Sequence, residues 1–205
     1  MKKTILVVGV FALFCLSLAE EFNGTTYRLS LSDIEVAQPI NGSDFNLTLH
    51  EKAENISILS FDGKKTKVNS SYSFWGGDHN YRIHVAHSVT GNLIYTIPHQ
   101  GQQFILPLHE NGSMRLILPP GYTTGDRILG IARPDPDQVK TDNNGTVLTW
   151  INPQARAIEV GYYKMNAPQA LKRIFALLAV IAALLLAEYS FSIRRLRALR
   201  KEAEK

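Results

Sequence analysis

Residues 174–193 read IFALLAVIAALLLAEYSFSI, an apolar stretch of twenty residues with one ionisable side chain, Glu188. An α-helix rises about 1.5 Å per residue, so this stretch would span about 30 Å, the thickness of a bilayer's hydrocarbon core. The sequence therefore predicts a single C-terminal transmembrane helix. An acidic side chain in hydrocarbon is costly, so Glu188 is predicted either to contact another helix or to reach the inner headgroups.

The two segments that flank this helix differ in charge. The tail, residues 194–205, carries six Lys or Arg residues and two Glu, whereas a short juxtamembrane linker, residues 167–173, has only Lys172 and Arg173. Basic residues accumulate on the cytoplasmic side of membrane helices and contact anionic lipid headgroups. The tail is therefore predicted to be cytoplasmic, with membrane lipid as its partner.

Residues 1–19 have the pattern of a secretory signal peptide. Lys2 and Lys3 precede an apolar run over residues 5–16, and a small-residue site follows at Ser17-Leu18-Ala19. We predict cleavage after Ala19, with an uncleaved N-terminal anchor as the alternative. The chain's one cysteine lies inside this segment, so the mature protein would have no disulfide.

Seven N-glycosylation sequons lie between the two apolar segments, and none lies in the tail. Their acceptors are Asn23, Asn41, Asn46, Asn55, Asn69, Asn111 and Asn144. A glycan is bulky and hydrated, so an occupied site lies on the surface of a translocated domain. Signal, sequons and tail charge predict the same topology: a single-pass cell-membrane protein whose N-terminal domain, residues 20–166, is extracellular. Dense sequons without disulfides favour an archaeal surface protein.

The charge of the chain does not indicate a nucleic-acid partner. Residues 20–166 hold twelve Lys or Arg and fifteen Asp or Glu, a net charge of −3, so the positive excess lies in the signal, the helix flanks and the tail. Nucleic-acid binding requires basic residues clustered on the folded domain. We therefore predict no nucleic-acid partner.

Alternation of apolar and polar residues predicts the fold of residues 20–166. The alternating segments fall at residues 27–31, 45–49, 56–58, 81–85, 104–108, 116–118, 147–151 and 158–162. A period of two is typical of half-buried strands. With frequent turn signals between them, these segments predict an all-β domain, an antiparallel β-sandwich, followed by one C-terminal transmembrane α-helix.

Glycine-containing pairs predict the turns. Asn41-Gly42, Asp62-Gly63, Gly76-Gly77, Asn111-Gly112 and Asn144-Gly145 suit hairpins, and Thr90-Gly91-Asn92 is predicted to join two strands. Trp150 lies on a predicted strand and is predicted to be buried. Trp75, which follows Tyr72 and Phe74, is also predicted to be core, with a carbohydrate or protein contact surface as the alternative.

No catalytic, metal or cofactor site is predicted. The six histidines, His50, His79, His84, His87, His99 and His109, lie within one stretch but without paired ligand spacing. Asp135 and Asp137 flank a proline in a predicted loop, which suits a solvated turn. No Gly-x-Ser-x-Gly elbow or phosphate loop occurs. An enzyme would require Asp78 and His79 to meet a further acid such as Asp126.

A family resemblance rests on the C-terminal half. It is carried by Leu118-Pro119-Pro120-Gly121-Tyr122, Gly125, Leu129-Gly130, Pro134, Trp150 and Val160-Gly161-Tyr162-Tyr163, followed at once by the apolar helix and an Arg-rich tail. This pattern resembles an archaeal family of membrane-anchored proteins of unknown function, mainly over residues 116–205. Members often begin with a lipoprotein-type signal, from which Phe14-Cys15 departs. The resemblance transfers no functional residue.

These observations predict a non-enzymatic, glycosylated surface protein with a binding or structural domain. Its partner would belong to the cell envelope or to a membrane complex. The first alternative is an accessory subunit that docks in a membrane protein complex through its helix and Glu188. The second alternative is a membrane-tethered enzyme that acts on envelope polymers.

Overall fold

The computed structural model describes residues 22–61, 63–108, 112–142 and 145–203. These ranges contain fourteen strands: β1 Thr25–Leu29, β2 Asp33–Leu49, β3 Glu54–Ser60, β4 Lys65–Lys67, β5 Ser70–Trp75, β6 Asp78–Pro98, β7 Gln103–Pro107, β8 Met114–Ile117, β9 Tyr122–Thr123, β10 Ala132–Arg133, β11 Gln138–Asp142, β12 Gly145–Trp150, β13 Ala157–Gly161 and β14 Tyr163–Lys164. One helix, α1 Ala167–Ala203, follows them. The predicted signal peptide, His109, Asn111 and Asn144 lie outside the described residues.

The strands form one large sheet and two small ones. The large sheet has the order β11-β12-β8-β1-β2-β6-β3-β4, and β5 also pairs with β6. The small sheets have the orders β10-β13-β7 and β14-β9. The β-rich fold and the C-terminal helix were predicted correctly. The pairing is mixed instead of purely antiparallel, however, because β1 and β8 run parallel.

The core of the large sheet contains a row of residues that lie directly opposite one another on adjacent strands. Leu148, Leu116, Tyr27, Val36 and Tyr95 make up this row across β12, β8, β1, β2 and β6. Opposed side chains on one face of a sheet are close neighbours, so the row is a continuous apolar band. Burial raises the pKa of Tyr27 to about 12.

The large sheet contacts the three-stranded sheet through this band. The ring of Tyr27 lies 5.5 Å, centroid to centroid, from the ring of Phe104 on β7. Ile158 and Val160, on the neighbouring β13, are fully buried. Apolar side chains from two sheets therefore share one core, which explains why Tyr27 cannot ionise readily.

The two longest strands, β2 and β6, pair antiparallel along almost their whole lengths. Two predicted turns fall inside them and were wrong. Asn41-Gly42 lies at a bulge, where the register shifts between Gly42 and Asp44. Thr90-Gly91-Asn92 lies in the middle of β6, where a Cβ at Gly91 would collide with the carbonyl oxygen of Leu59 on β3. Gly91 therefore permits β3 and β6 to approach each other closely.

Only Met165 and Asn166 lie between the last strand of the β domain and helix α1. Lys164 on β14 pairs with Tyr122, the Met165 amide donates to the Gly121 carbonyl at 3.0 Å, and the helix begins at Ala167. Residues 167–173, predicted as a linker, are therefore helical. Within α1, residues Ala167–Arg197 are long and apolar enough to cross a membrane, and their most apolar part is entirely exposed.

The close approach at Gly91 can be tested by substitution. We expect Gly91→Ala to lower the free energy of unfolding by about 1–3 kcal/mol, because the added methyl group must push β3 away from β6. Gly112→Ala is the matched control, since a Cβ there meets open space. Urea unfolding of the detergent-solubilised chain measures both. Equal stability of the two variants would contradict this role of Gly91.

Candidate binding site

The strongest candidate site is the β5–β6 hairpin, residues 70–83, hereafter the aromatic hairpin. Its turn is Gly76-Gly77, and both glycines have positive φ, 64° and 94°. Glycine adopts this backbone conformation without steric cost, so the predicted turn is confirmed. The pairing runs from Trp75 opposite Asp78 to Ser70 opposite Ile83.

Three large aromatic side chains lie exposed on this hairpin. Tyr72 and Phe74 share one face of β5, and alternation along the strand places Trp75 on the other face. Trp75 is 83% exposed, so the core prediction for this residue was wrong and its alternative, a contact surface, fits. Trp150 is 1% exposed, which confirms the core prediction, and its indole nitrogen donates to the Pro134 carbonyl at 3.0 Å.

Neighbouring side chains hold Tyr72 and Phe74 in place. The His79 ring lies 5.8 Å from the Tyr72 ring and 4.9 Å from the Phe74 ring, centroid to centroid. The Tyr72 hydroxyl is 2.9 Å from Nδ1 of His79. On the neighbouring strand, buried Tyr81 lies opposite Tyr72, and its hydroxyl accepts a hydrogen bond from the Ala53 amide at 2.8 Å. The aromatic surface is therefore preorganised.

The opposite face of the hairpin is polar. Asn46, Arg82 and Ser71 lie opposite one another on β2, β6 and β5. Next to them, the Thr48 hydroxyl donates to Oδ1 of Asn80 at 2.9 Å. A shallow depression of about 560 Å³ lies over these strands. The hairpin thus has one aromatic face and one hydrophilic face, with Trp75 at the tip.

The position of the hairpin in the fold leaves it accessible. Within the described residues β5 pairs with β6 alone, so the outer edge of β5 is unpaired. β6 contains 21 residues, which corresponds to roughly 65 Å of strand. Its far end, at Pro98, leads to His99, whose Nε2 lies 2.8 Å from the hydroxyl of Tyr162, close to the start of α1. The aromatic hairpin is therefore at the end of β6 remote from the helix.

The histidines are dispersed along the described part of the chain. Nδ1 of His50 lies 2.7 Å from Oδ1 of Asp78, and Nδ1 of His84 lies 2.7 Å from Oδ1 of Asp44. The hydrogen bond from His84 lowers the pKa of the Asp44 carboxyl. No group of three or more His, Cys, Asp or Glu side chains that could hold a metal occurs among the described residues.

The acids considered for an enzyme have separate structural partners. Oδ1 of Asp126 accepts from the backbone amides of Ile128 and Leu129, at 2.9 and 3.1 Å, and so caps its own turn. Asp78 pairs with His50, as described above. Oδ2 of Asp137 accepts from the Ile151 amide at 2.7 Å. The structure records no contact that brings Asp78 and His79 together with Asp126.

The five described sequon acceptors, Asn23, Asn41, Asn46, Asn55 and Asn69, are all exposed. Oδ1 of Asn41 accepts a hydrogen bond from the Thr90 hydroxyl at 3.2 Å, which leaves its amide nitrogen, the glycan attachment atom, available. Glu188 lies on α1 and is also exposed. The roles assigned to these residues by sequence stay predictions.

The comparison with protein families gives a match over most of the chain. A model for a family of unknown function, DUF5803, matches residues 51–204. The chain belongs to this family. The DUF5803 match covers β3 to α1, and so includes the aromatic hairpin and the helix, but it omits β1 and β2. A search of curated proteins finds no match to the chain.

Burial of His99 makes domain stability depend on pH. Desolvation lowers the pKa of His99, so the folded protein takes up this proton less readily than the unfolded chain. The contribution of neutral His99 to folding stability is therefore fully present above the pKa of histidine in the unfolded chain, about 6.5, and declines as the pH falls through that value. We expect the melting temperature to fall between about pH 7.5 and about pH 5. His99→Gln should reduce this decrease.

The control for this experiment is His87→Gln, which replaces an exposed histidine. In this variant the melting temperature should fall with pH as much as it does in the parent protein. Thermal unfolding of the full chain in detergent, followed by near-ultraviolet circular dichroism, reports the transition. An unchanged pH dependence in His99→Gln would contradict the assignment.

Proposed function

We propose that this protein is a glycosylated, non-enzymatic cell-surface binding protein. In this proposal α1 crosses the cell membrane over residues 174–193, the tail over residues 194–205 is cytoplasmic, and the β domain is extracellular. The Tyr27–Phe104 contact between the two larger sheets supports a sandwich for that domain. Membrane lipid surrounds the helix, and the partner is a protein of the envelope or the membrane.

The exposed aromatic hairpin is the observation that carries this proposal. Contiguous exposed apolar side chains on a folded domain mark interaction surfaces. Here Tyr72 and Phe74 lie side by side on one face of β5, Trp75 lies at the tip on the other face, and the outer edge of the strand is unpaired. An extended segment of a partner can add to such an edge, gaining backbone hydrogen bonds from the strand and specificity from its side chains. We therefore propose strand addition to β5.

The position of one sequon, Asn46, agrees with this use of the hairpin. Asn46 belongs to the hydrophilic face, in register with Arg82 and Ser71. A glycan on Asn46 would cover that face, while Tyr72 and Phe74 lie on the other. The sugar would then shield the hydrophilic face around Ser71, and leave the face of Tyr72 and Phe74 and the tip at Trp75 open to the partner.

A second candidate is an accessory subunit of a membrane protein complex, docked through its helix. No residue in the most apolar part of α1 is buried against the β domain. Its whole surface, including Glu188, is available to another helix. Loss of a complex on native gels after Glu188→Ala, with no effect of hairpin substitutions, would favour this candidate.

Photo-crosslinking in native membranes tests the binding proposal. A photoreactive residue at Ser73 on β5 should capture a repeatable protein partner, because this strand edge is unpaired. The combined variant Tyr72→Thr, Phe74→Thr, Trp75→Thr should lose that crosslink while β5 stays paired with β6, since threonine favours strands and all three side chains are exposed. Mass spectrometry of the crosslinked species identifies the partner.

The matched control is Val139→Ser, which removes an exposed apolar side chain from another edge strand, β11. It should leave the crosslink intact. Retention of the crosslink in the triple variant would overturn the role of the aromatic hairpin. Binding of protein-free envelope polysaccharide, lost in the triple variant, would show that the ligand is a glycan instead of a protein segment.

Glycosylation and topology can be tested together. We expect the mass of the intact protein to exceed that of its sequence and to fall on enzymatic or chemical deglycosylation. Protease added to intact cells should digest the β domain but spare the C-terminal tail. Bare asparagines at every sequon, or a tail cleaved from outside, would contradict the proposed surface location.

A further inference from the structure

We infer that the turn at residues 125–130 is a second membrane contact, which rests on the lipid headgroups beside α1. This inference depends on the proposed membrane anchoring and adds a defined lipid-binding surface to it. The turn lies among the glycine- and proline-rich segments that carry the family resemblance, and the aromatic hairpin does not use it.

The 125–130 turn is held against the residues that lead into the helix. The Gly125 amide donates to the Gly130 carbonyl, and the Gly130 amide donates to the Asp126 carbonyl, each at 2.9 Å. The Thr124 hydroxyl donates to the Gly161 carbonyl at 2.7 Å. Gly130 lies so close to Gly161 that a Cβ would collide with its carbonyl oxygen. The turn is thus held against Gly161, which lies only six residues before Ala167 in the chain.

The connection to the helix allows little freedom. Tyr163 on β14 pairs with Thr123, and the Met165 amide donates to the Gly121 carbonyl. The Ala170 amide then donates to the Asn166 carbonyl at 3.1 Å, which closes the first helical turn. Residues 121–130 and 161–165 form the base of the domain. Because sheet pairing continues almost to the helix, this base cannot move far from the membrane surface.

The height of this base follows from helix geometry. The hydrocarbon-spanning stretch begins at residue 174, and the seven helical residues before it rise about 10 Å. The headgroup layer on each side of the hydrocarbon is roughly 5–8 Å thick. Ala167 therefore lies just beyond the outer margin of the headgroups. The 125–130 turn is hydrogen-bonded to Gly161, six residues earlier in the chain, so we place it at nearly the same level.

The exposed side chains of this region suit a lipid surface. Ile128, at the tip of the turn, is 79% exposed, and Met165 is also exposed. The exposed basic residues nearby are Arg127, Lys164, Lys172 and Arg173. The nearest acid, Asp126, is already hydrogen-bonded to two amides of its own turn. Apolar side chains with surrounding cations are the composition that binds anionic headgroups.

Depth-dependent fluorescence quenching tests the contact with the full-length chain. Single cysteines for an environment-sensitive dye are introduced in a Cys15→Ser background by Ile128→Cys, Phe61→Cys or Leu178→Cys. Phe61 is 78% exposed, like Ile128, but lies beyond β3. The proteins are reconstituted into phosphatidylcholine vesicles with a minority of phosphatidylglycerol. Lipids with spin labels on the headgroup or on the acyl chain serve as quenchers.

Headgroup spin labels should quench the dye at position 128 strongly and the dye at position 61 little, whereas acyl-chain labels should quench the dye at position 178. Arg127→Gln should lower the equilibrium constant for contact between the turn and an anionic bilayer about fivefold, because one basic residue is no longer attracted to the charged surface. Headgroup quenching at position 128 measures this equilibrium. This loss should disappear in pure phosphatidylcholine.

Each remaining outcome overturns a defined claim. Quenching at 178 without quenching at 128 overturns the lipid contact but leaves the membrane anchor intact. Absence of quenching at 178 overturns the anchor itself, and the lipid contact with it. Protection of the dye at 128 from an aqueous quencher in native membranes, without headgroup quenching in vesicles, shows that a protein covers the turn instead.

Discussion

The pairing of β2 with β6, which resumes after the bulge at Gly42, is the constraint on which the rest of the structure depends. These strands of 17 and 21 residues are far longer than the five or six typical of globular domains, and they join regions that would otherwise be separate. One end of the pair lies in the buried row with Val36 and Tyr95. The other end supports β5, which has no other strand to pair with among the described residues. Without the β2–β6 pair, the aromatic hairpin would lose its attachment to the core.

The sequence predicts strands well where one face is buried and polar residues cover the other. Leu116 and Leu148, for example, alternate with polar or less buried neighbours, and both are fully buried on adjacent strands. Turns were predicted less well, because glycine has more than one structural use. Gly76 adopts positive φ in a real hairpin turn, whereas Gly91 provides space for the carbonyl of Leu59 within a strand. A single sequence does not distinguish these uses.

The two tryptophans show the same limit at the candidate site. Both follow strand-like segments, yet Trp150 is inside and Trp75 is outside. The difference arises from pairing: β12 lies between β8 and β11, whereas β5 lies at an edge and ends in a two-glycine turn. Edge position depends on contacts distant in sequence, so local pattern cannot reveal it. The aromatic cluster with Gly-Gly was nevertheless a usable signal, because a compact run of aromatic residues before flexible glycines is poorly suited to a core.

The two ends of β6 have opposite physical requirements. After Pro98, His99 and Gly101 form a joint with Tyr162, to which both are linked by hydrogen bonds. The chain after Tyr162 leads almost directly into α1. At Asp78 the strand ends in an exposed hairpin whose aromatic surface is held by Tyr81 and His79. β6 runs over 21 residues from this joint to the hairpin and pairs with β2 on both sides of the bulge. Strand pairing on both sides of the bulge therefore links the hairpin to the part of the domain that leads into the helix.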